Sequence, residues 1–157
     1  MNVFTVSLFG HRKIGNIWRL ENQLYPIIKE LIKTKSYVAF IIGLNGEFDK
    51  YAASVIKRIQ KEEGKENSDI TLVLPYSVAD IEYYEEYYDG IVIPDIVNDA
   101  HPKSAITLKN RWMIERSDLV IVYVENNKGG AYAAMKYAEK SNKKVLNIYE
   151  NADTLPN

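Results

Sequence analysis

Residues 110–130, NRWMIERSDLVIVYVENNKGG, decide the fold. The part holding Asn110-Arg111-Trp112-Met113 is amphipathic, Leu119 to Val124 is an unbroken apolar run, and Gly129-Gly130 follow after a polar stretch. That order predicts helix, buried strand and glycine turn. In an α/β sheet such a turn lies at the carboxyl end of a strand, where ligands bind. A helix beginning there directs its free N–H groups at any anion present. The first functional expectation is a ligand that carries phosphate.

The same rhythm extends in both directions. Val3 to Phe9 is a short β-branched run stopping at Gly10, and Tyr37 to Ile42 is another, ahead of Gly43-Leu44-Asn45-Gly46. Between them Ile17, Leu20, Leu24, Ile27, Ile28, Leu31 and Ile32 recur at three- and four-residue spacing, predicting a helix from Asn16 to Lys35 that Pro26 should kink. A second helix runs through Tyr51, Ala52, Val55, Ile56 and Ile59 towards Gly64, and Ile70 to Leu74 makes a third strand before Pro75. The pattern breaks at the insert Tyr76 to Gly90, rich in tyrosine and acid, before the short run Ile91-Val92-Ile93. As a helix, that insert would place Tyr83, Tyr84, Tyr87 and Tyr88 on one broad face. Pro102 suits the first turn of the helix that carries Ala105, Leu108, Trp112 and Met113. A last helix from Ala131 to about Ser141 leads to a final strand, Val145 to Ile148.

Alternating strands and helices predict an α/β fold, a Rossmann-like three-layer sandwich with a mostly parallel sheet covered on both faces. Residues 1–150 read as a single domain and residues 151–157 as a short tail that frays. With 157 residues, 46% hydrophobic and 26% charged, the chain has ample material for one core. Net charge is −1, which leaves no basic stripe for a nucleic-acid backbone and argues against that partner. The chain has no cysteine, so disulfides, thiolate chemistry and cysteine-based zinc sites are excluded, and its two histidines are too few for a metal site. No metal and no cofactor is expected. No run is long enough to span a membrane and no signal peptide is recognisable, so the expected location is cytoplasmic.

Three loops that follow strands carry glycine with polar residues: Gly10-His11-Arg12, Gly43 to Glu47, and Lys128-Gly129-Gly130. In a parallel sheet all three emerge on one edge. Glycine lets the backbone approach a phosphate, and Arg12 and Arg111 can add guanidinium contacts. The candidate ligand-binding residues are Gly10, His11, Arg12, Gly43, Asn45, Gly46, Asp49, Asn110, Arg111, Gly129 and Gly130. His11 is expected to bind or to hold neighbouring loops together. Asp49 is expected to hold ribose hydroxyls or to orient Arg12. Glu47 and Glu125 are the candidate acids if a reaction is catalysed. No Gly-Lys-Ser/Thr and no six-residue dinucleotide fingerprint is present, so ATPase and dehydrogenase readings fall. Trp112 and Met113 are expected core anchors, with Arg111 free to face the crevice. The acids around the tyrosine face point to a contact in a homo-oligomer, or to a lid, in preference to base stacking.

Taken together, Phe9-Gly10-His11-Arg12, Gly43 to Asp49 with Ala52-Ala53, Asn110-Arg111-Trp112-Met113, Ser117-Asp118 and Gly129-Gly130 resemble the SLOG superfamily, related to Smf/DprA and Lonely Guy proteins. Within it they resemble the YpsA-like group of bacterial and phage proteins of unknown function. The resemblance spans Val3 to Ile148 and implies a Rossmann-like domain for nucleotides or nucleotide-derived molecules. Lonely Guy enzymes carry Pro-Gly-Gly-x-Gly-Thr-x-x-Glu. With Gly129-Gly130 aligned to its glycines, Tyr132 and Ala133 replace Gly-Thr and Lys136 replaces the glutamate. The second loop also departs from the Gly-Gly-Ala-x-Gly form common in the superfamily, because Asn45 and Glu47 narrow the room beside a phosphate. The resulting expectation is binding of a nucleotide-derived small molecule, such as an ADP-ribose-type or nucleoside phosphate ligand. The alternatives are an enzyme acting on an N-glycosidic bond, phosphoribohydrolase-like or deoxyribosyltransferase-like, and a non-catalytic oligomeric module.

Overall fold

The computed structural model describes residues 2–149. Its decisive stretch forms α4 (Pro102–Glu115), β5 (Leu119–Tyr123) and α5 (Gly130–Lys140), in the order helix, strand, glycine turn, helix. Preceding them are β1 (Val3–Gly10), α1 (Ile17–Thr34), β2 (Tyr37–Ile42), α2 (Glu47–Glu63), β3 (Ser68–Val73), α3 (Ile81–Tyr87) and β4 (Gly90–Val92), and β6 (Lys144–Asn147) follows. The expected tail, 151–157, lies outside the described residues.

The six strands form one sheet in the order β4-β3-β2-β1-β5-β6, and every pairing is parallel. The sequence pointed to a mostly parallel sheet. Every connection within it carries a helix or a helical insert, so each strand returns to the same end and none runs antiparallel. Chain direction across the sheet reverses between β1 and β5, which makes that gap the topological switch point.

Side chains alternate between two cores, as strand geometry requires. Leu119, Ile121 and Tyr123 of β5 join one core with α1 and α2, while Val120 and Val122 join the other with Met113, Ile114, Ala134 and Ala138 of α4 and α5. Asn16 caps α1, its side chain accepting from Arg19 N–H at 2.9 Å. The helix then continues through Pro26, which lies on the exposed face, as a single assigned element, so the proline does not end it.

Two buried polar groups stitch the sheet to neighbouring segments. Ser7 of β1 donates to the Met113 carbonyl at 3.1 Å and pairs with the Ser117 hydroxyl, fixing α4 to the central strand. Asn147 accepts from Val124 N–H at 3.1 Å and donates to the Val124 carbonyl at 3.0 Å, prolonging the β5–β6 ladder with a side chain. Asp118 accepts from Thr5 N–H at 2.8 Å, so Ser117-Asp118 is a brace between β1 and the start of β5.

Candidate functional site

At the switch point the loops after β1, β2 and β5 converge with α4 on a small cleft. Gly10 and Arg12 line it from β1, Gly43, Asn45 and Asp49 from the second loop and α2, Ile106, Lys109 and Asn110 from α4, and Gly130 from α5. Its volume is about 100 Å³. That is well below the several hundred Å³ of a pocket that encloses a drug-sized ligand, and it suits a phosphate-sized group.

The floor is made by Lys109. Its side chain is fully buried, and among the described residues its Nζ has no hydrogen-bond partner. The Oδ1 of the neighbouring Asn110 is likewise buried and unpartnered. Lysine is almost never fully buried unless paired, and an unmet buried donor costs on the order of 1–3 kcal/mol, more if charged. Helix periodicity brings it there: Ala105, Lys109 and Met113 stand four residues apart, and all three are buried. A lysine on the apolar stripe of α4 was therefore the legible signal in the sequence, and the candidates named above omit it.

Gly43 makes the room. A Cβ at Gly43 would sit 2.6 Å from Lys109 Nζ and 3.4 Å from Asp49 Oδ2. Asp49 is buried too, and its Oδ2 accepts from Asn45 N–H at 2.7 Å, which shapes the second loop. Burial pushes the Asp49 carboxyl up to about 6, against the opposing pull of the Asn45 N–H and the Lys109 charge. Burial pushes the Lys109 ammonium down to about 8, with Asp49 acting to raise it. At neutral pH one cation and one carboxylate thus share a desolvated cleft without a direct hydrogen bond closing the cation's valence.

The two helix N-termini at this edge differ. The start of α2 is already occupied: Glu47 N–H donates to the Arg12 carbonyl at 2.8 Å and Phe48 N–H to the His11 carbonyl at 3.4 Å. The start of α5 has no side-chain cap, and Gly129, at φ of +92°, turns the chain so that Gly130 enters the cleft wall. The open anion-facing terminus is that of α5.

Other sequence candidates are placed elsewhere. Arg111 is exposed with its guanidinium 4.8 Å over the Tyr137 ring, one helix position away from the cleft. His11 Nε2 accepts from Glu125 N–H at 2.8 Å and Asn126 N–H at 3.3 Å, so it ties the β1 and β5 loops together. Glu47 accepts from Ile14 N–H at 2.7 Å, and Glu125, exposed, accepts from Tyr149 OH at 3.3 Å. Neither carboxylate lines the cleft. Asp49 holds Asn45 and faces Lys109, and among the described residues no hydrogen bond or ion pair joins it to Arg12. Gly10 serves packing, since a Cβ there would lie 2.1 Å from Phe48 Cγ. Gly46 is close-packed on Arg12 and lines a neighbouring cavity as well. Met113 is buried as expected, whereas Trp112 is half-buried beneath Arg116, whose guanidinium lies 3.7 Å from its ring centre.

The architecture is that of a Rossmann-like α/β fold, with its cleft at the switch point. Among solved structures the chain is similar to DNA processing protein A (DprA) from Streptococcus pneumoniae, at TM-score 0.66 and 14% identity over 90% of this chain. The chain spans 49% of that protein's length, and the likeness is one of fold. It agrees with the Rossmann-like fold expected from the sequence. No protein-family model matches the chain, and no curated protein does. Among the described residues no helix is long and apolar enough to cross a membrane.

Proposed function

We propose that this chain binds a nucleotide-derived small molecule, with a phosphate of the ligand in the cleft between β1, β2 and β5. The observation that carries the reading is the buried, unpartnered Lys109 ammonium at the cleft floor. A phosphate there meets Lys109 Nζ, the uncapped start of α5 at Gly130, and Arg12 at the rim. Asn110 Oδ1 adds a requirement that an inorganic anion leaves unmet, because it needs a donor such as a ribose hydroxyl. A sugar phosphate satisfies both atoms. The order of the quoted motifs further supports membership of the YpsA-like group.

The positions of Glu47 and Glu125 outside the cleft weigh towards binding and against glycosidic cleavage by either. A thermal-shift panel of AMP, NAD, ADP-ribose, cyclic nucleotides and a single-stranded oligonucleotide tests the reading. A ligand at about 100 times its Kd stabilises by about 2.7 kcal/mol. A rise in Tm with at least one mononucleotide derivative, abolished in Lys109→Met, is expected. No rise with any of them in folded protein overturns the proposal.

A further inference from the structure

A cleft of about 100 Å³ leaves most of a nucleotide outside it, and the adjoining cavity has the shape and chemistry for the remainder. That cavity, about 480 Å³, lies between α2 and the inserted helix α3. Tyr83, Tyr84, Tyr87 and Tyr88 line one side, with Leu44 and Tyr51 opposite. The second loop lines both spaces. Gly43 and Asn45 face the cleft, Leu44 and Gly46 face the cavity, and along α2 Asp49 belongs to the first and Lys50 to the second.

We propose that the tyrosine cavity is the base subsite for the ligand whose phosphate occupies the Lys109 cleft, so that a nucleoside phosphate lies across the Leu44–Gly46 loop. The inference rests on the phosphate reading above and extends it to the base. The rings are packed edge to face: Tyr83 and Tyr84 lie 5.2 Å apart at 82°, and Tyr87 and Tyr88 lie 5.0 Å apart at 72°. In each pair the ring that presents its edge keeps its own faces uncovered by its partner, which suits a planar heterocycle. Tyr83 is 65% exposed, an outlay of aromatic surface that the fold itself does not use.

Charge divides the two subsites. The acids of the insert that argued against base stacking, Asp80, Glu82, Glu85, Glu86 and Asp89, are exposed and absent from the cavity lining, whose one charged residue is Lys50. The cavity thus takes a neutral ring, and the anion goes to the buried lysine. Base stacking on aromatic side chains is tolerant of base identity and commonly contributes about ten-fold or more in affinity per base.

Calorimetric titration with AMP and ribose 5-phosphate, on native protein and on Tyr83→Ala, Tyr84→Leu and Lys109→Met, separates the two claims. The native chain is expected to bind AMP about ten-fold more tightly than ribose 5-phosphate. Tyr83→Ala, at an exposed position, and Tyr84→Leu, which keeps apolar volume, bring AMP down to the ribose 5-phosphate level. Both leave ribose 5-phosphate binding unchanged, and circular dichroism confirms the fold. Equal native affinities, or an AMP preference retained in both tyrosine variants, overturn the base subsite and leave the phosphate cleft standing. Failure of both ligands to bind, or ribose 5-phosphate binding indifferent to Lys109→Met, overturns the phosphate cleft and the base subsite with it.

Discussion

Lys109 keeps a charge in a place where burial penalises it, and Asp49 does the same a short distance away. The sign of each effect follows from its shift. The Asp49 carboxyl, raised from 3.8 to about 6, contributes stability fully below pH 4 and loses it as pH rises through 6. The Lys109 ammonium, lowered from 10.5 to about 8, contributes stability fully above pH 10.5 and loses it as pH falls through 8. Near pH 7 both groups are charged and both subtract from stability. The double variant Asp49→Asn/Lys109→Met should therefore melt higher than the native chain at pH 7, by about 5 °C for ~2 kcal/mol, and calorimetry checks it. Equal or lower Tm would show that the pair holds the fold together. Ligand binding should also fade as pH rises above about 8, where Lys109 loses its proton. At this scale the sequence was only partly legible. Gly10, Arg12, Gly43, Asn45, Asp49 and Gly130 line the cleft, because loops after parallel strands must meet at one edge, and Asn110 joins them from α4. Arg111 does not, because one step around a helix turns a side chain by about 100°. Lys109 went unread because a lysine on an apolar stripe looks like an irregularity until the partner atoms are counted.

Among the elements, α1 and the glycine loops carry the clearest tests. Pro26 lies inside α1 on the exposed face, lacks the N–H that the helix needs and crowds the preceding turn. Pro26→Ala should stabilise the chain by up to ~3 kcal/mol, read as a higher denaturant midpoint with unchanged slope. Gly10→Ala should do the opposite, by ~1–3 kcal/mol, because a Cβ would fall 2.1 Å from Phe48 Cγ in the core. Gly43→Ala displaces the end of a side chain and not backbone, so its cost should appear as lost ligand affinity with little change in Tm. The main strands and the long helices were legible, since short apolar runs closed by glycine or proline alternate with 3.6-residue periodicity. Boundaries moved by one or two residues, as at β3, which begins at Ser68, and β4, which begins at Gly90. The helical turn Asp95–Val97 carries no periodic signal and escaped notice.

For the whole molecule, a six-stranded parallel sheet with its switch point between β1 and β5 brings the loops after β1, β2 and β5 to one edge. That much follows from the alternation of elements and the right-handed crossover rule. The use made of the Tyr76 to Gly90 insert does not follow from it, because composition showed acids and tyrosines together, while the folded helix sorts them onto different faces. A net charge of −1 gives no long-range pull on a polyanion, so a single-stranded oligonucleotide should bind no more tightly than a mononucleotide at 0.15 M salt, as fluorescence anisotropy would report. The central claim concerns one buried cation. Isothermal titration of AMP into native protein and Lys109→Met at pH 7 addresses it directly: the account predicts saturable binding to the native chain and a Kd at least ~10-fold higher in the variant. Equal affinity in the two proteins would contradict it.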